Sequence, residues 1–335
     1  MKVSVIATVL NEGESVHRLL DSLVAQTRPP DEVVIVDGGS TDDTVAVLEK
    51  YAAEGRLPLR VIACPGTNIS QGRNAAIHAA TGEIIASTDA GVRLGPDWLA
   101  ALLEPFDRSD AGRVAVVSGF FLPDPQTDFE VALGATTLPA PGDVVPERFL
   151  PSSRSVAYRR AAAQAVGGYP AWLDYCEDLI FDFKLRERYG PFHFVPRAVA
   201  YFRPRPTLRD FVKQYYRYAR GDGKANLWFR RHLIRYLTYL AATPLLIALA
   251  LLHSPWWGLG FLAGGAFMFG TPFKRLWPVT QGWSLLRRLR AFAWVPVIRV
   301  AGDVAKMAGY PVGVWWRMRQ RGGRSWREEY QRGSR

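Results

Sequence analysis

The sequence is poor in cysteine, lacks the common phosphate-binding loops and begins without a signal-peptide pattern. Its 335 residues include only Cys64 and Cys176, which excludes a disulfide framework and a cysteine-based zinc site. Neither Gly-x-x-x-x-Gly-Lys nor Gly-x-Gly-x-x-Gly occurs, so a P-loop and a dinucleotide fingerprint are excluded as well. The first apolar run is short, because Asn11 and Glu12 interrupt it, and we therefore expect no secretory leader.

Acidic residues are scarce in the last part of the chain, and this scarcity accounts for the net charge of +11. Residues 1–200 hold 18 Lys and Arg against 26 Asp and Glu, whereas residues 201–335 hold 24 against five. Nine of the eleven tryptophans lie in the same basic part. Arginine and tryptophan beside apolar runs are typical of a membrane interface. Nucleic-acid binding is the lesser interpretation, because no recognition motif accompanies the charge, and we expect no nucleic-acid partner.

A stretch of 38 residues, 236–273, contains no Lys, Arg, Asp or Glu. Since a membrane-spanning helix needs roughly 20 apolar residues, the stretch has the length for two short crossings joined by a turn at Ser254-Pro255. Cationic residues flank both ends, which predicts that both ends lie on the cytoplasmic side. The alternative is a buried helical hairpin of a soluble domain, because glycines and a proline dilute the apolar signal.

Two further segments, 283–294 and 297–318, carry apolar residues at helical spacing with arginines between them. Such segments are typical of helices that lie in the membrane interface, although an amphipathic helix packed on a soluble domain has the same pattern. The Arg- and Gly-rich tail from Arg319 predicts poor order. The sequence thus divides into a soluble domain over 1–229, a transmembrane hairpin over 230–275, and interfacial helices with a basic tail over 276–335.

The soluble part alternates apolar strands with amphipathic helices. Strands are predicted at 3–9, 32–36, 59–63 and 83–87, and helices at 15–26, 42–51, 72–80 and 178–188. Strands that are apolar throughout and separated by helices form a mostly parallel sheet covered by helices on its faces. We therefore expect an α/β fold with a Rossmann-like sheet, followed by a C-terminal helical membrane region.

Polar side chains cluster where the predicted strands end. Asn11 and Glu12 follow the first strand, Asp37 and Gly38 follow the apolar part of the second, and Asp89 follows the fourth. Because ligands of parallel sheets bind at the carboxyl ends of the strands, these residues are candidates for a ligand site. Asp37 before glycines suits a nucleoside base or ribose, with a tight turn and a helix cap as the alternative. Asp89 suits a metal or a sugar phosphate, with a turn as the alternative.

Several motifs occur in a fixed order along residues 2–225. They are the opening strand with Asn-Glu, Val-Ile-Val-Asp-Gly-Gly-Ser-Thr-Asp-Asp-Thr over 34–44, Gly-Arg-Asn over 72–74, Thr-Asp-Ala-Gly over 88–91 with Pro-Asp-Trp-Leu over 96–99, Gly-Gly-Tyr over 167–169 with Glu-Asp at 177–178, and Gln-Tyr-Tyr-Arg-Tyr over 214–218. Together they resemble an inverting, nucleotide-sugar-dependent glycosyltransferase of family 2, whose fold is GT-A. Each motif alone is weak, whereas the ordered set is specific.

The resemblance implies a role for each motif. Asp178 is expected as the general base that removes the acceptor proton, with Glu177 beside it, and the start of a helix is the alternative role for this pair. Donor binding is expected from Asn11, Glu12, Asp37, Gly38, Arg73 and Asp89. Contacts with the diphosphate or the acceptor are expected from Gln214, Arg217, Tyr218 and Arg220. Positions 214, 217 and 218 share one face of a helix, for which a solvated basic surface is the alternative.

Three departures from the family pattern bear on the nucleotide and the metal. Thr-Val-Leu over 8–10 stands where the family has Pro-Thr-Tyr, Gly91 replaces the second carboxylate of Asp-x-Asp, and Tyr-Phe-Arg over 201–203 stands near the position of a metal-binding histidine. A divalent cation, Mg²⁺ or Mn²⁺, held by Asp89, the diphosphate and water is the expected cofactor. The alternative is charge neutralisation by arginines, with Arg203, Arg205, Arg217 and Arg220 as candidates.

The function that the resemblance implies is transfer of a sugar from a nucleotide diphosphate, with UDP the expected nucleotide. Attachment to membrane lipids, with the catalytic domain on the cytoplasmic side of the cytoplasmic membrane, favours a lipid-linked or glycolipid acceptor. Residues 118–155, rich in Pro, Gly and Phe, are expected to contribute acceptor specificity. Two alternatives stay open: a non-catalytic membrane scaffold that binds sugar nucleotides, and a synthase that extends a polysaccharide.

Overall fold

The computed structural model describes residues 1–107 and 114–333. The strands are β1 (Val3–Val9), β2 (Glu32–Asp37), β3 (Leu59–Ala63), β4 (Ile84–Ser87), β5 (Val92–Leu94), β6 (Val116–Pro123), β7 (Val156–Arg159) and β8 (His193–Phe202). The helices are α1 (Val16–Val24), α2 (Thr44–Ala53), α3 (Ile69–Ala79), α4 (Trp98–Asp107), α5 (Asp128–Thr137), α6 (Arg160–Ala165), α7 (Glu177–Tyr189), α8 (Leu208–Ala225), α9 (Phe229–Leu237), α10 (Thr243–Leu252), α11 (Leu259–Val279), α12 (Leu285–Arg321) and α13 (Trp326–Gly333).

These elements form two compact units. The first consists of Met1–Asp124 with Pro141–Arg203, and the second of Pro125–Ala140 with Pro204–Arg335. The domain boundaries predicted at 229 and 275 are not tested by this division and stay a prediction.

The strands of the first unit form one mixed sheet in the order β3-β2-β1-β4-β7-β6-β8-β5. β1 pairs in parallel with β2 and β4, and β2 pairs in parallel with β3. β7 runs antiparallel to β4 and β6, β8 runs parallel to β6, and β5 closes the sheet antiparallel to β8. The predicted α/β fold is confirmed. Its parallel part consists of the four strands that the sequence predicted, and the other half of the sheet is mixed.

The core of the first unit is built from strands that are buried on both faces and from helices that are buried on one face. β1 is buried at nearly every position, as expected for a strand covered on both faces. On α1 four apolar residues at helical spacing are buried on one face: Val16, Leu19, Leu20 and Leu23. Burying one such leucine is worth about 1.5–3 kcal/mol, so this helix face alone fixes α1 against the sheet.

Helices α5, α8 and α12 pack together in the second unit, around Leu133, Phe211 and Ile298. Gly309 and Gly313 of α12 allow close contact with α8. A Cβ atom on Gly309 would lie 2.2 Å from the Tyr216 carbonyl oxygen, and one on Gly313 would lie 2.0 Å from that of Arg220. Small residues four positions apart let two helix backbones approach closely, and here they set the spacing of α8 and α12.

One prediction for the C-terminal region is wrong. The segments 283–294 and 297–318 belong to one continuous helix of 37 residues, α12, which contains Pro296 and Pro311. Each proline removes one helical hydrogen bond, and the packing of α12 against α8 and α5 holds the helix together across both sites. In the tail from Arg319, α12 continues to Arg321 and α13 spans Trp326–Gly333, while residues 334–335 lie outside the described residues. The poor order predicted for this tail stays a prediction.

One helix in the described part of the chain, Phe229–Leu252, is long and apolar enough to cross a membrane by length and composition. It comprises α9, a π-helical turn at Thr238–Ala242, and α10. The second predicted crossing lies in α11, which does not reach the same apolarity. The predicted turn between the two segments is confirmed, since Ser254 precedes a 3₁₀ helix at Pro255–Gly258.

Candidate functional site

The loops that follow β1 and β2 are tied together by hydrogen bonds. The Asn11 N–H donates to Ser40 Oγ over 2.9 Å, and Asn11 Oδ1 accepts from the Thr41 N–H over 2.8 Å. Asn11 has a φ of +55°, a left-handed conformation that asparagine tolerates better than most residues. The Glu12 N–H donates to Thr44 Oγ1 over 2.9 Å. As predicted, polar residues form a fixed edge at the carboxyl ends of two adjacent parallel strands.

Asp37, the last residue of β2, is almost fully buried and shapes this edge. Its carboxylate accepts hydrogen bonds from the Gly39 N–H over 2.9 Å and from the Ser40 N–H and Oγ over 3.1 and 2.5 Å. Gly39 has a φ of +102°, which favours glycine. The turn-forming role given as the alternative for Asp37 is therefore present. Direct contacts of Asp37 and Gly38 with a nucleoside stay predictions.

A buried guanidinium joins two carboxylates from distant parts of the chain. The Arg73 side chain, on α3, is 4% exposed. Its Nη1 donates to Glu177 Oε1 over 2.5 Å, and its Nη2 donates to Asp89 Oδ1 over 2.8 Å. Since a buried charge is tolerated only when it is paired, Arg73 fixes the start of α7 relative to the end of β4. The role of Arg73 as a donor contact stays a prediction.

A second guanidinium, which sequence reasoning missed, contacts the other oxygen of Asp89. Arg154 Nε lies 3.2 Å from Asp89 Oδ2. The Arg154 guanidinium carbon lies 4.4 Å from the ring centre of Phe202 and 5.9 Å from that of Phe121. Arg154 precedes β7, whose first residue, Val156, pairs with the last residue of β4. Only this antiparallel pairing brings Arg154 to the site, and the sequence around it holds no motif.

The Gly-Arg-Asn and Gly-Gly-Tyr motifs dock on each other. Asn74 Nδ2 donates to the Tyr169 carbonyl and Asn74 Oδ1 accepts from the Tyr169 N–H, both over 2.8 Å. Gly168, which directly precedes Tyr169, has a φ of +64°. A Cβ atom on Gly168 would lie 2.5 Å from Asn74 Oδ1. These two hydrogen bonds hold together Asn74 and Tyr169, which are 95 positions apart in the chain, directly after Arg73.

The Glu-Asp pair begins α7 directly after a strained residue. Cys176 has a φ of +63° without being glycine, and such strain persists where the surrounding structure enforces it. Asp178 Oδ1 accepts a hydrogen bond from the Leu179 N–H over 2.9 Å. The helix-starting role given as the alternative for this pair is thus present, and the role of Asp178 as the base stays a prediction.

Four carboxyl groups face two guanidinium groups in this cluster, and the pKa values reflect the imbalance. Burial raises the pKa of Glu177 to about 7, against the lowering effect of the Arg73 guanidinium. Burial also raises the pKa of Asp178. One turn further along α7, burial and the charge of Asp178 raise the pKa of Asp182 well above its usual range. Raised carboxyl pKa values are what proton transfer near neutral pH requires.

The described residues do not supply the usual ligand set for a divalent cation. Within 1–107 and 114–333, no three His, Cys, Asp or Glu side chains group as a metal site. Each oxygen of Asp89 pairs with an arginine, and Gly91 has no side chain to offer. A Cβ atom on Gly91 would lie 3.5 Å from Glu12 Oε2, so a second acidic group adjoins this position. These residues do not fit a tightly bound Mg²⁺ or Mn²⁺, and a cation held by the diphosphate and water stays a prediction.

The residues predicted to contact the diphosphate or the acceptor lie on α8 in the second unit. Gln214 Nε2 donates to Tyr218 Oη over 2.9 Å, which confirms that these two share one helix face. Arg217 and Arg220 are half-buried on the same helix. The roles of all four residues toward a substrate stay predictions.

Comparison with known proteins identifies the domain that holds this edge of the sheet. Residues 4–135 match Glycosyl transferase family 2. This part of the chain is a family 2 glycosyltransferase domain. Arg73 and Asp89 lie within it, whereas Arg154 and the Glu177-Asp178 pair lie beyond the matched residues.

Two curated proteins are similar to the family 2 domain. The uncharacterized glycosyltransferase alr2836 of Nostoc sp. is 34% identical over 110 residues, which cover 33% of this chain and 34% of the relative. The undecaprenyl-phosphate 4-deoxy-4-formamido-L-arabinose transferase of Sodalis glossinidius is 34% identical over 110 residues, which cover 31% and 33%. The matched segments thus span about a third of these relatives.

A solved structure is similar over nearly the whole chain. The mannosyltransferase PcManGT of Pyrobaculum calidifontis, in complex with GDP-Man and Mn²⁺, has a TM-score of 0.57 at 20% identity. The similarity covers 96% of this chain and 88% of that one. The predicted family is confirmed for residues 4–135. The predicted GT-A fold is confirmed as well. Glycosyltransferase, the predicted enzyme class, is also the class of the family 2 domain and of the two curated relatives.

Proposed function

We propose that this protein transfers a sugar from a nucleoside diphosphate to a hydroxyl group of a lipid-linked acceptor. The carboxylate pair Glu177-Asp178, with its raised pKa values beside the guanidinium groups at Asp89, is the observation that carries the proposal. This cluster adjoins the carboxyl end of β4, where ligands of parallel strands bind. The family 2 domain supports the same reaction.

In the proposed reaction, Asp178 removes the proton of the acceptor hydroxyl as its oxygen attacks the anomeric carbon. The bond between that carbon and the nucleoside diphosphate breaks, and the diphosphate leaves with the electron pair. Attack opposite the leaving group inverts the configuration. General-base catalysis contributes about 10²–10⁴ in rate, and burial keeps Asp178 more basic than an exposed aspartate.

The donor nucleotide is proposed to bind along the edge formed by the loops after β1 and β2. The hydrogen bonds that tie Asn11 to Ser40 and Thr41 hold this edge in place before a ligand arrives. UDP is the proposed nucleotide, and GDP is the alternative to test, because the structural neighbour was solved with GDP-Man. A divalent cation bound through the diphosphate is the proposed cofactor only if binding of the nucleotide requires it.

The acceptor proposal rests on the exposed apolar surface of the second unit. Leu252 is 82% exposed and Phe267 is 93% exposed, on two consecutive apolar helices. Soluble proteins rarely expose apolar surface of this extent, which supports insertion into lipid. The name of the Sodalis relative specifies undecaprenyl phosphate, a membrane lipid. We propose that the protein sits in the cytoplasmic membrane with the family 2 domain on the cytoplasmic side.

Carbonate washing and cysteine labelling test the membrane proposal. The protein should stay with membranes after washing, and cysteines introduced as Ser254→Cys and Ser325→Cys should be labelled from opposite sides. The wild-type protein, with Cys64 and Cys176, gives the background. Release into the soluble fraction, or labelling of both positions from one side, contradicts the two-span arrangement.

The variant Asp178→Asn tests the reaction. It should keep nucleotide affinity and lose at least tenfold in transfer, because the amide cannot accept the proton. Glu187→Gln, an exposed carboxylate on the same helix, is the matched control and should transfer normally. Nucleotide binding without turnover of any donor in the wild-type protein would support a non-catalytic scaffold instead. Repeated addition to one acceptor would support a polysaccharide-extending synthase.

A further inference from the structure

The Asp89 carboxylate lies between two guanidinium groups that differ in their access to solvent. The Arg73 side chain is 4% exposed and the Arg154 side chain is 22% exposed. The Arg73 guanidinium also forms an ion pair with Glu177. A ligand that approaches Asp89 from solvent can therefore reach Arg154, whereas Arg73 stays enclosed among its carboxylate partners.

Arg154 is held in a defined orientation. Its Nε contacts Asp89, its Nη1 lies 3.2 Å from Ser152 Oγ, and the Phe202 ring covers the guanidinium at 4.4 Å. A planar group fixed by a carboxylate, a hydroxyl and an aromatic face loses little conformational freedom when it binds a ligand. The guanidinium presents five N–H donors in a geometry that matches phosphate oxygens.

The position of Arg154 relative to the nucleotide edge follows from the strand order. Asp37 ends β2, Asp89 follows β4, and β1 lies between these strands. Neighbouring strands lie about 4.8 Å apart, so these two points are about 10 Å apart along the edge. A nucleoside bound at the end of β2 has room to extend its diphosphate along the edge toward Asp89 and Arg154.

We infer that Arg154 binds the diphosphate of the donor and supplies the positive charge that a divalent cation would otherwise provide. Arg73 anchors Asp89, and Asp89 in turn aims Arg154. The inference rests on the proposed function. As the bond to the anomeric carbon breaks, the leaving diphosphate gains one negative charge and the electron pair of that bond. Arg154 neutralises this charge, and the step needs no further reactant.

Calorimetric titration of the full-length protein with UDP and GDP tests the inference without reliance on turnover. The nucleotide that binds should have the same affinity, within about twofold, in EDTA and in MnCl₂. Arg154→Gln should weaken it by about 10- to 150-fold, as expected for the loss of a charged hydrogen bond. The affinity for the matching nucleoside, which has no phosphate, should not change. Arg154→Lys should recover part of the loss, because it retains the charge.

Arg159→Gln is the matched control. Arg159 is the last residue of β7, the strand that Arg154 precedes. It pairs with Glu83 over 2.6 Å and its side chain is 24% exposed, but it lies beside the opposite end of β4. This variant should bind the nucleotide as the wild type does. Binding that requires MnCl₂, or an Arg154→Gln variant that binds as tightly as the wild type, overturns the role of Arg154 and leaves the proposed function standing. No binding of either nucleotide in either condition removes the proposed function and this inference with it.

Discussion

Replacing Arg73 with methionine should destabilise the first unit strongly, because it leaves the buried Glu177 carboxylate without its partner. Arg73 is 4% exposed and Glu177 is 8% exposed, so water cannot take over the lost contact. Removing one partner of a buried ion pair costs about 3–5 kcal/mol. At about 2–4 °C per kcal/mol for a unit of this size, Tm should fall by about 6–20 °C.

This loss should depend on pH in a defined direction. Burial raises the pKa of Glu177 to about 7 even with Arg73 present, so the folded protein retains a proton that the unfolded chain releases near pH 4.5. Stability from this group is therefore lost as pH rises from about 4.5 to 7. Without Arg73 the ionised carboxylate is costlier still. The difference in Tm between wild type and variant should be larger at pH 8 than at pH 5.5.

Thermal unfolding of the purified protein, followed by fluorescence at both pH values, provides the measurement. The double variant Arg73→Met/Glu177→Gln should recover part of the loss, because the uncompensated charge is gone. Arg56→Met is the matched control: Arg56 also lies near two carboxylates, Glu54 and Asp21, but its side chain is 46% exposed. Such surface pairs are worth about 0–1 kcal/mol. The buried ion pair is refuted if Arg73→Met lowers Tm no more than Arg56→Met does. It is also refuted if Arg73→Met lowers Tm equally at both pH values and the double variant recovers none of the loss.

Three further outcomes are expected. The transfer rate should rise with pH through the raised pKa of Asp178, and a rising limb at the ordinary aspartate pKa of about 3.9 contradicts this environment. Asp37→Ala should weaken UDP binding by about tenfold or more in calorimetry, because it removes the carboxylate that shapes the loop, and unchanged affinity reduces Asp37 to a turn residue. Gly91→Asp should create a cation site beside Glu12 and Asp89. MnCl₂ should therefore raise the Tm of this variant more than that of the wild type, and equal shifts contradict the interpretation.

Local pattern predicted the parallel half of the sheet. The bounds of β1 and β3 match the predicted strands, and the buried face of α1 matches the predicted apolar face. These features depend on the spacing of apolar residues within a few turns or strand positions, which the sequence states directly. The strand-end position of Asn11 and Asp37 follows from the same reasoning, since parallel strands bring their carboxyl ends to one edge.

The C-terminal helices show where local pattern misleads. The sequence pattern predicted two separate segments, 283–294 and 297–318, but both lie in α12, which continues to Arg321. The close packing of Gly309 and Gly313 against α8 stabilises this helix along its length. Contact between two backbones is a property of the pair of helices, so neither sequence segment reveals it alone.

The candidate site divides between sequence and tertiary structure in the same way. The sequence by itself determined the identities and order of Arg73, Asp89 and the Glu177-Asp178 pair, because each lies in a short motif. Only the tertiary structure decided that Arg73 bridges the two carboxylate groups and that Arg154 completes the pairing of Asp89. The reason is the antiparallel pairing of β7 with β4, which brings together residues 65 positions apart through hydrogen bonds that no local periodicity encodes.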